Sequence, residues 1–303
     1  MKRAYIFILI GASLWGTISW FVKHLYALGF TPMEVVTLRV WTTAIVLVLF
    51  YSITSPNTLK LKSIKDIRYF LGTGIISIVF FNFCLFTAIQ LSTVPVATAL
   101  LYTAPAFVSI FSYFLFGESF TKNKVIALIA TLVGTSFIVG LFPVSEQSLG
   151  VSTILIGLGS GLGYALYSVF SKYALKKYSS NSVTVHTFIV SSIFLTPFFS
   201  FGDKGTSIMD PMVLFYAFGL GLFPTAIAYL IYTNGLHFVE ASRASILTTV
   251  EPVVASIIGV FVFQESFGLF QAIGMVLILS AVYLVQAKQK DKAIDYAEMR
   301  ENG

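Results

Sequence analysis

Apolar runs of about twenty residues, separated by short polar gaps, make up nearly the whole of this 303-residue chain. A bilayer core about 30 Å thick needs roughly 20 apolar residues for each helical crossing. Hydrophobic residues form 57% of the sequence and charged residues 11%, whereas soluble globular proteins carry about 25% charged residues. Because a backbone in hydrocarbon must satisfy its own hydrogen bonds, and barrel-type alternating strands are absent from the pattern, we predict an all-α integral membrane protein.

The apolar runs predict ten transmembrane helices. Their approximate limits are 4–24, 33–52, 68–91, 94–116, 124–141, 150–172, 182–201, 212–236, 242–263 and 269–288. The polar gaps between them are short, and no gap has the length of a soluble domain. The chain is therefore predicted to be one membrane-embedded unit.

The basic residues indicate how the helices are oriented. If the N-terminus is cytoplasmic, 16 of the 19 Lys and Arg residues fall on the cytoplasmic side, Lys23 and Lys204 fall outside, and Arg39 lies within a span. The positive-inside rule therefore predicts that both termini are cytoplasmic in a cell (inner or plasma) membrane. The formal charge of +6 consists of these topology signals and does not indicate a nucleic-acid partner.

One stretch of the sequence occurs twice at a fixed offset. "LYTAPAFVSIFSYFLFGESF" (101–120) aligns with "TTVEPVVASIIGVFVFQESF" (248–267), so that Pro105 corresponds to Pro252 and Glu118 to Glu265, 147 residues later. With a two-residue slip, "SLWGTISWFVK" (13–23) also lies over "LGYALYSVFSK" (162–172). Chance similarity between apolar helices accounts for shared Phe and Ile, but poorly for a shared proline and a shared Glu-Ser-Phe. We interpret the pattern as an internal repeat.

Each repeat holds five spans. Because five is an odd number, the second repeat must enter the membrane from the side opposite to the first. The predicted fold is therefore a 5+5 inverted-topology repeat, with repeats at 1–145 and 146–288 and a cytoplasmic tail at 289–303. Inverted repeats with interrupted helices near the midplane are a transporter arrangement.

Several segments carry a family resemblance. "LWGTISWFVK", "LRVWTTAIVL", "YTAPAFVSIFSYFLFGESF" and "SRASILTTVEPVVASIIGVFVFQESF" resemble the drug/metabolite transporter superfamily, specifically its ten-helix EamA branch. The resemblance covers nearly the whole chain. The sequence departs from the family pattern at one place, where "FGESF" in span 4 corresponds to "FQESF" in span 9. It implies an exporter of metabolites or amino acids, with a cavity between the halves lined by spans 1, 3, 4, 6, 8 and 9.

Glu251 is the candidate that most needs explanation, because ionisable groups within the membrane are costly and therefore functional by default. It lies nine residues into span 9, where the first repeat has Ala104. Two interpretations remain open. Glu251 either couples transport to protons or binds a substrate amine, or it hydrogen-bonds a neighbouring helix and fixes the packing.

The other charged residues in or near the spans have simpler interpretations. Arg39 either pairs with a carboxylate or extends along its own stem to the outer interface. Lys23 and Glu34 are expected to form a solvated pair at the outer rim. Glu118 and Glu265 mark helix ends and are interpreted as structural.

Aromatic and amide side chains near mid-depth form a candidate substrate pocket. Their positions fall on the spans that the resemblance places around the cavity. The candidates are Trp15, Asn82, Tyr102, Tyr164, Tyr167 and Tyr229, together with Glu251. As a set they suggest a largely apolar pocket with a few hydrogen-bonding groups, although each residue singly is more often a packing residue.

Two further motifs concern helix shape and packing. Pro105 and Pro252 are expected to bend their helices and to act as hinges. "GLGSGLGY" (157–164) is rich in small residues and is expected to let helices approach closely.

The leading function is a secondary transporter of small metabolites that works by alternating access, with protons as a candidate coupling ion. The alternatives are a passive channel, which usually needs rings of charge, and a membrane-embedded enzyme, which would need further acidic or nucleophilic groups beside Glu251. No metal-ligand spacing, phosphate-binding loop or other cofactor motif is recognisable in the sequence. The expected partners are a small-molecule substrate and the lipid bilayer, and the protein is expected to be a monomer or a homodimer.

Overall fold

The computed structural model describes residues 2–92, 94–141, 150–199, 201–205 and 207–301, and all regular structure within these ranges is helical. In chain order the main helices are α1 (Lys2–Ala27), α2 (Pro32–Thr54), α3 (Ile64–Leu91), α4 (Val96–Phe116), α5 (Lys122–Ile138), α6 (Val151–Leu175), α7 (Ser180–Leu195), α8 (Pro211–Phe238), α9 (Ala241–Phe263) and α10 (Leu269–Gln286). Eight of them are long and apolar enough to cross a membrane, while α5 and α7 are shorter, with 17 and 16 residues. The predicted all-α membrane class is confirmed, and the count of ten crossings remains a prediction.

The predicted limits differ from the helices at two places. The seventh span was expected to reach 201, but α7 ends at Leu195 and a 3₁₀ turn, Thr196–Phe198, follows it. The backbone after α10 stays helical through Glu301, which includes most of the predicted tail. Charged residues favour helix as readily as apolar ones, so polarity marks where the membrane ends better than where a helix ends.

Short polar residues start several helices and satisfy their free N–H groups. Thr31 and Glu34 form a capping box, in which Thr31 N donates to Glu34 Oε2 at 2.8 Å and Glu34 N donates to Thr31 Oγ1. The expected rim pair of Lys23 and Glu34 is therefore wrong. Glu34 is buried in its cap, and Lys23 Nζ lies 2.5 Å from Glu265 Oε1.

Three helices near the centre of the bundle are interrupted. α1 breaks at Thr17, α4 breaks between Leu101 and Ala104, and α9 breaks between Leu247 and Val250. Pro105 and Pro252 lie in the first turn of the segments that follow these breaks, where a proline needs no N–H. The chain is broken about one turn before each of these prolines, where a proline leaves a carbonyl without its N–H partner, and their role as hinges remains a prediction.

The local geometry at the ends of α4 and α9 recurs at the 147-residue offset. Gly117 and Gln264 both adopt left-handed backbone conformations, with φ of 66° and 56°. Glu118 N donates to Ser112 O, and Glu265 N donates to Gly259 O, at 3.1 and 3.0 Å. The departure from the family pattern at Gln264 thus retains the glycine-like geometry despite carrying a side chain.

We predict that Gln264→Gly stabilises the protein by about 1 kcal/mol, because only glycine adopts this conformation without steric cost. Gly117→Ala should destabilise the protein by a similar amount. The added Cβ would have no atom within 4 Å, so the change measures the backbone cost without a steric clash. Thermal unfolding in detergent measures both changes. Equal melting temperatures for parent and Gln264→Gly would contradict the strain at this turn.

The two halves of the chain pack against each other through equivalent helices. α1 packs on α8 and α9, while α6 packs on α3 and α4. Both contacts depend on glycine: a Cβ on Gly16 would lie 2.8 Å from Glu251 O, and one on Gly161 would lie 2.8 Å from Leu100 O. The close helix approach expected for the segment 157–164 is confirmed. A glycine at the contact likewise lets α1 pack against the backbone of Glu251.

Candidate functional site

A buried group of aromatic side chains, here called the aromatic cluster, lies where α1, α6 and α8 meet. The Trp15 ring centroid lies 4.9 Å from those of Tyr229 and Tyr232, and 6.1 Å from that of Tyr164. The Tyr167 ring stands edge-on to Tyr229, with centroids 4.9 Å apart. Tilted and edge-on contacts of this kind are favourable. Four of the residues nominated from sequence thus come together, and Tyr232 joins them.

A small cavity of about 10 Å³ lies inside the aromatic cluster. It is lined by the five cluster residues together with Ser77, Phe81 and Ser168. Hydroxyl groups beside it bond across helices: Tyr167 with Thr233 at 2.8 Å, and Ser168 with Tyr232 at 2.7 Å. The centre of the bundle is thus tightly packed and still carries polar groups.

Glu251 lies at the edge of the aromatic cluster, in the first turn of the second segment of α9. The Tyr164 hydroxyl donates a hydrogen bond to Glu251 Oε2 at 3.0 Å. The positive end of the helix dipole, at the start of this segment, also favours a carboxylate here. Glu251 therefore connects α9 to α6 and remains half-buried.

Arg39 of α2 turns towards protein partners. Its Nε donates to Thr225 Oγ1 at 2.8 Å, and its charge acts on both Glu251 and Tyr229. Thr225 belongs to a π-helical turn, Leu222–Ile227, and its hydroxyl donates to Leu220 O. Arg39 thus bonds a hydroxyl within the protein and forms no ion pair with a carboxylate among the described residues, so neither interpretation from sequence is confirmed.

A larger cavity of about 270 Å³, here called the open cavity, lies between α1, α4 and α9. It reaches the surface where Lys23 pairs with Glu265. Its inner wall includes Tyr102 and Pro252, the residue next to Glu251. The open cavity therefore leads from one end of the bundle to the turn that holds Glu251.

The opposite end of α9 is held by the carboxylate of Glu118, which follows α4. Glu118 accepts hydrogen bonds from the backbone N of Ala241 and Ser242, at 2.7 and 3.0 Å, and from the Ser242 hydroxyl. Its side chain is only 8% exposed. Further along α9, Ala244 and Leu247 are fully buried. Since α9 has 23 residues, about 35 Å in length, the two ends are far apart. A surface cavity of about 380 Å³ lies at this end too, lined by Glu118 and Glu240, so the ends differ in the contacts that tie the helices together.

Three more charged residues lie at this end of α9: Lys124, Glu240 and Arg243. Together with Glu118 they are called the charged cluster. Lys124 Nζ lies 2.9 Å from Glu240 and 3.9 Å from Glu118, and Arg243 Nε lies 2.5 Å from Glu240. Burial raises the pKa of Glu240, but hydrogen bonds and charges from Lys124 and Arg243 outweigh it and hold the pKa below its usual range. Glu240 is therefore ionised at neutral pH. The stability that its ion pairs with Lys124 and Arg243 add to this end of the bundle is lost only as the pH falls through the lowered pKa.

Two nominated residues lie away from the aromatic cluster. Asn82 is buried in α3, and its amide donates to Ile78 O in its own helix at 2.7 Å. Pro105 is buried after the break in α4. Among the described residues, neither belongs to the lining of the small cavity or the open cavity.

Sequence reasoning missed Ser77, Tyr232 and the charged cluster. Tyr232 follows Tyr229 by three positions and so shares its helix face, a signal that was present in the sequence. The pairing of Glu118 with the start of α9 has no sequence signal, because the partners are backbone N–H groups more than 120 residues away.

Comparisons with known proteins agree with this architecture. An uncharacterized transporter of Archaeoglobus fulgidus is 33% identical over 290 residues, which cover 94% of this chain and 96% of the relative. An uncharacterized transporter of Clostridium kluyveri is 26% identical over 296 residues, covering 92% and 91% of the two chains. A crystal structure with 18% identity superposes with a TM-score of 0.77 over 96% of this chain and 99% of the other, which shows a shared fold.

The sequence also matches the EamA-like transporter family twice, over residues 2–140 and over residues 151–287. The two matched segments together cover most of the chain and contain the residues of the aromatic cluster, the open cavity and the charged cluster. This chain is a multi-pass membrane protein and belongs to the EamA-like transporter family.

Proposed function

We propose that this protein is a secondary transporter that exports small metabolites such as amino acids by alternating access. The observation that carries the proposal is the asymmetry of the bundle around Glu251. The open cavity reaches Pro252, the residue next to Glu251, from one end, and the charged cluster ties the helices together at the other. A carrier must have a site that is open to one side at a time, and this arrangement fits one such state.

The internal repeat supports a mechanism for exchanging the two states. Five helices in each half, oppositely oriented, make units at 1–145 and 146–288, with a tail at 289–303 inside the cell. Each half then supplies an equivalent gate: Glu118 at the end of α4 and Glu265 at the end of α9. In such repeats, the halves exchange conformations to expose one central site to either side.

Glu118 and Glu265 occupy different environments in this structure, as that exchange requires. Glu118 is buried against the start of α9, whereas Glu265 is 54% exposed and paired with Lys23. The position equivalent to Ala241 is Val94, two residues before α4, where the helical backbone begins. In the alternate state, Glu265 leaves Lys23 and accepts from the backbone N of Val94, while Glu118 releases α9. Pro95, at the position equivalent to Ser242, has no N–H to add. The breaks next to Pro105 and Pro252 provide the hinges.

Glu251 provides the charge at the central site. It meets either a proton, and so couples export to the proton gradient, or the amine of the solute itself. The Tyr164 hydroxyl and the aromatic faces of Trp15 and Tyr229 supply the remaining contacts. A packing role alone leaves unexplained why the repeat carries Ala104 at the equivalent place, in an otherwise similar segment.

The competing classes fit the contacts less well. A channel needs a continuous path, whereas the charged cluster and the buried turn beyond it obstruct one end. An enzyme needs a second acidic or nucleophilic group near Glu251. Among the described residues there is no group of three metal-binding side chains, and the neighbours of Glu251 are tyrosines and Arg39.

The orientation can be tested by labelling single cysteines in intact cells, in a variant that lacks the buried Cys84. A cysteine at Ser207 should react with an impermeant maleimide from outside, as should one at Ser148, which lies outside the described residues. A cysteine at Ser63 should react only after the membrane is permeabilised. Reaction of a cysteine at Ser63 from outside would overturn the proposed topology and with it the inverted repeat.

The solute class can be identified by thermal unfolding of the purified protein against a metabolite library, because a ligand stabilises the state it binds. At 100 times its Kd, one ligand adds about 2.7 kcal/mol of stability. Amino acids should raise the melting temperature of the parent and fail to raise that of Glu251→Gln. If only unrelated metabolites stabilise the parent, the proposed solute class is wrong.

A further inference from the structure

Two buried hydrogen-bond donors at the centre of the bundle have no partner among the described residues. They are the indole Nε1 of Trp15, which is 4% exposed, and the hydroxyl of Ser77, which is fully buried. An indole N–H can only donate, and a buried donor without an acceptor costs about 1–3 kcal/mol. Both residues line the small cavity inside the aromatic cluster.

Four of the other polar residues around the small cavity already have partners. Tyr164 donates to Glu251, Tyr167 bonds Thr233, and Ser168 bonds Tyr232. Trp15 and Ser77 are the residues of this lining whose buried donors have no partner among the described residues. Its volume of about 10 Å³ is roughly that needed for one oxygen-sized atom. The cavity thus has the size and the polarity to bind a single acceptor atom.

Tyr164 separates this acceptor site from Glu251. Its ring lines the small cavity, and its hydroxyl bonds the carboxylate beside the open cavity. A solute that spans this partition meets a carboxylate at one end and two donors at the other. An accept-only group such as a carboxylate or carbonyl oxygen complements Trp15 and Ser77, just as a donating group complements Glu251.

The local backbone also marks this place. Ser77 lies in a π-helical turn of α3, Gly72–Val79, and π-helical turns occur frequently at functional sites. The residue 147 positions later is Pro224, which has no donor. Ser77, like Glu251, therefore breaks the symmetry of the repeat.

We propose that Trp15 Nε1 and Ser77 Oγ form a subsite that binds a carboxylate or carbonyl oxygen of the transported solute, an inference that rests on the proposed transport function. Trp15 thereby acts through its N–H as well as its ring, and Ser77 determines specificity. Solutes that carry such an oxygen are selected over amines that lack it.

A transport assay tests this selection. Proteoliposomes are loaded with a mixture of amino acids, their carboxamides, and the amines that remain when the carboxyl group is removed, and efflux is followed by mass spectrometry. The parent should export the first two groups in preference to the amines. Ser77→Ala and Trp15→Phe should lower that preference about tenfold, the factor expected for losing one hydrogen bond to a charged acceptor. Ser112→Ala is the matched control, because Ser112 is also fully buried and unpartnered but does not line the small cavity.

A second measurement does not depend on transport. With ¹⁵N-labelled indoles, the Nε1–H signal of Trp15, assigned by its loss in Trp15→Phe, should move when amino acids are added and not when the matching amines are added. Ser77→Ala should weaken the response and Ser112→Ala should retain it. If the parent moves no solute of the mixture, the proposed function is wrong for these solutes. If Trp15 gives no response, or Ser77→Ala selects solutes as the parent does, the donors hold only water and the subsite is refuted.

Discussion

Glu251→Gln should insert and fold like the parent but lose transport by about 30-fold or more, or lose the dependence of transport on the proton gradient. Glutamine keeps the shape of the side chain and an oxygen that can accept from the Tyr164 hydroxyl, so the contact with α6 survives. It removes the charge, which is worth about 2 kcal/mol in a charge-assisted hydrogen bond. Initial rates in proteoliposomes from about pH 5.5 to about pH 8 measure the effect.

Glu34→Gln is the matched control for this change. It removes a buried carboxylate from α2, and glutamine serves a capping box as glutamate does. We expect it to transport at close to the parental rate. If Glu251→Gln transports like the parent across the pH range, Glu251 is a packing residue, and recognition rests on the aromatic cluster alone.

Glu118→Ala should shift the protein towards the state that opens at the charged cluster. The substitution leaves the N–H groups of Ala241 and Ser242 without their acceptor and removes a carboxylate from beside Lys124, at a cost to this state of about 3 kcal/mol or more. That free energy corresponds to a change of about 100-fold in the equilibrium between two states. Transport should fall, because a carrier held on one side cannot complete its cycle.

Cysteine labelling distinguishes such a shift from simple unfolding. Ser245 is 3% exposed on the closed side and Ser256 lines the open cavity, so cysteines at these two positions report opposite ends of the path. In Glu118→Ala, the cysteine at Ser245 should become reactive and the one at Ser256 less so. The equivalent change, Glu265→Ala, should leave both as in the parent, since Glu265 is exposed in this state. Identical labelling in all three proteins would contradict the gate.

Much of the fold could be predicted from the sequence because the bilayer simplifies the problem. Each long apolar run can satisfy its backbone only as a helix, so the positions of the main helices follow from hydropathy. The breaks in α4 and α9 have a sequence signal, because Pro105 and Pro252 each lack an N–H one turn later. The break at Thr17 in α1 is harder to predict, and it lies next to Gly16, which packs closely on α9.

The candidate site could be predicted in its residue types and less well in its geometry. Trp15, Tyr164, Tyr167 and Tyr229 were nominated from depth and chemistry, and they meet where α1, α6 and α8 pack together. Ser77 could not be found in this way. Buried serines are common in membrane helices, and only the shared cavity with Trp15 distinguishes this one.

Solute counterflow tests the central claim, that this protein is an alternating-access carrier, most directly. Proteoliposomes containing the parent are preloaded with a concentrated mixture of unlabelled amino acids and diluted into a trace of the same mixture carrying isotopic label. We predict that label accumulates transiently above its equilibrium level, that the initial rate saturates with concentration, and that both features are lost in Glu251→Gln. A flux that rises linearly with concentration, without transient accumulation, would show a channel and contradict the account.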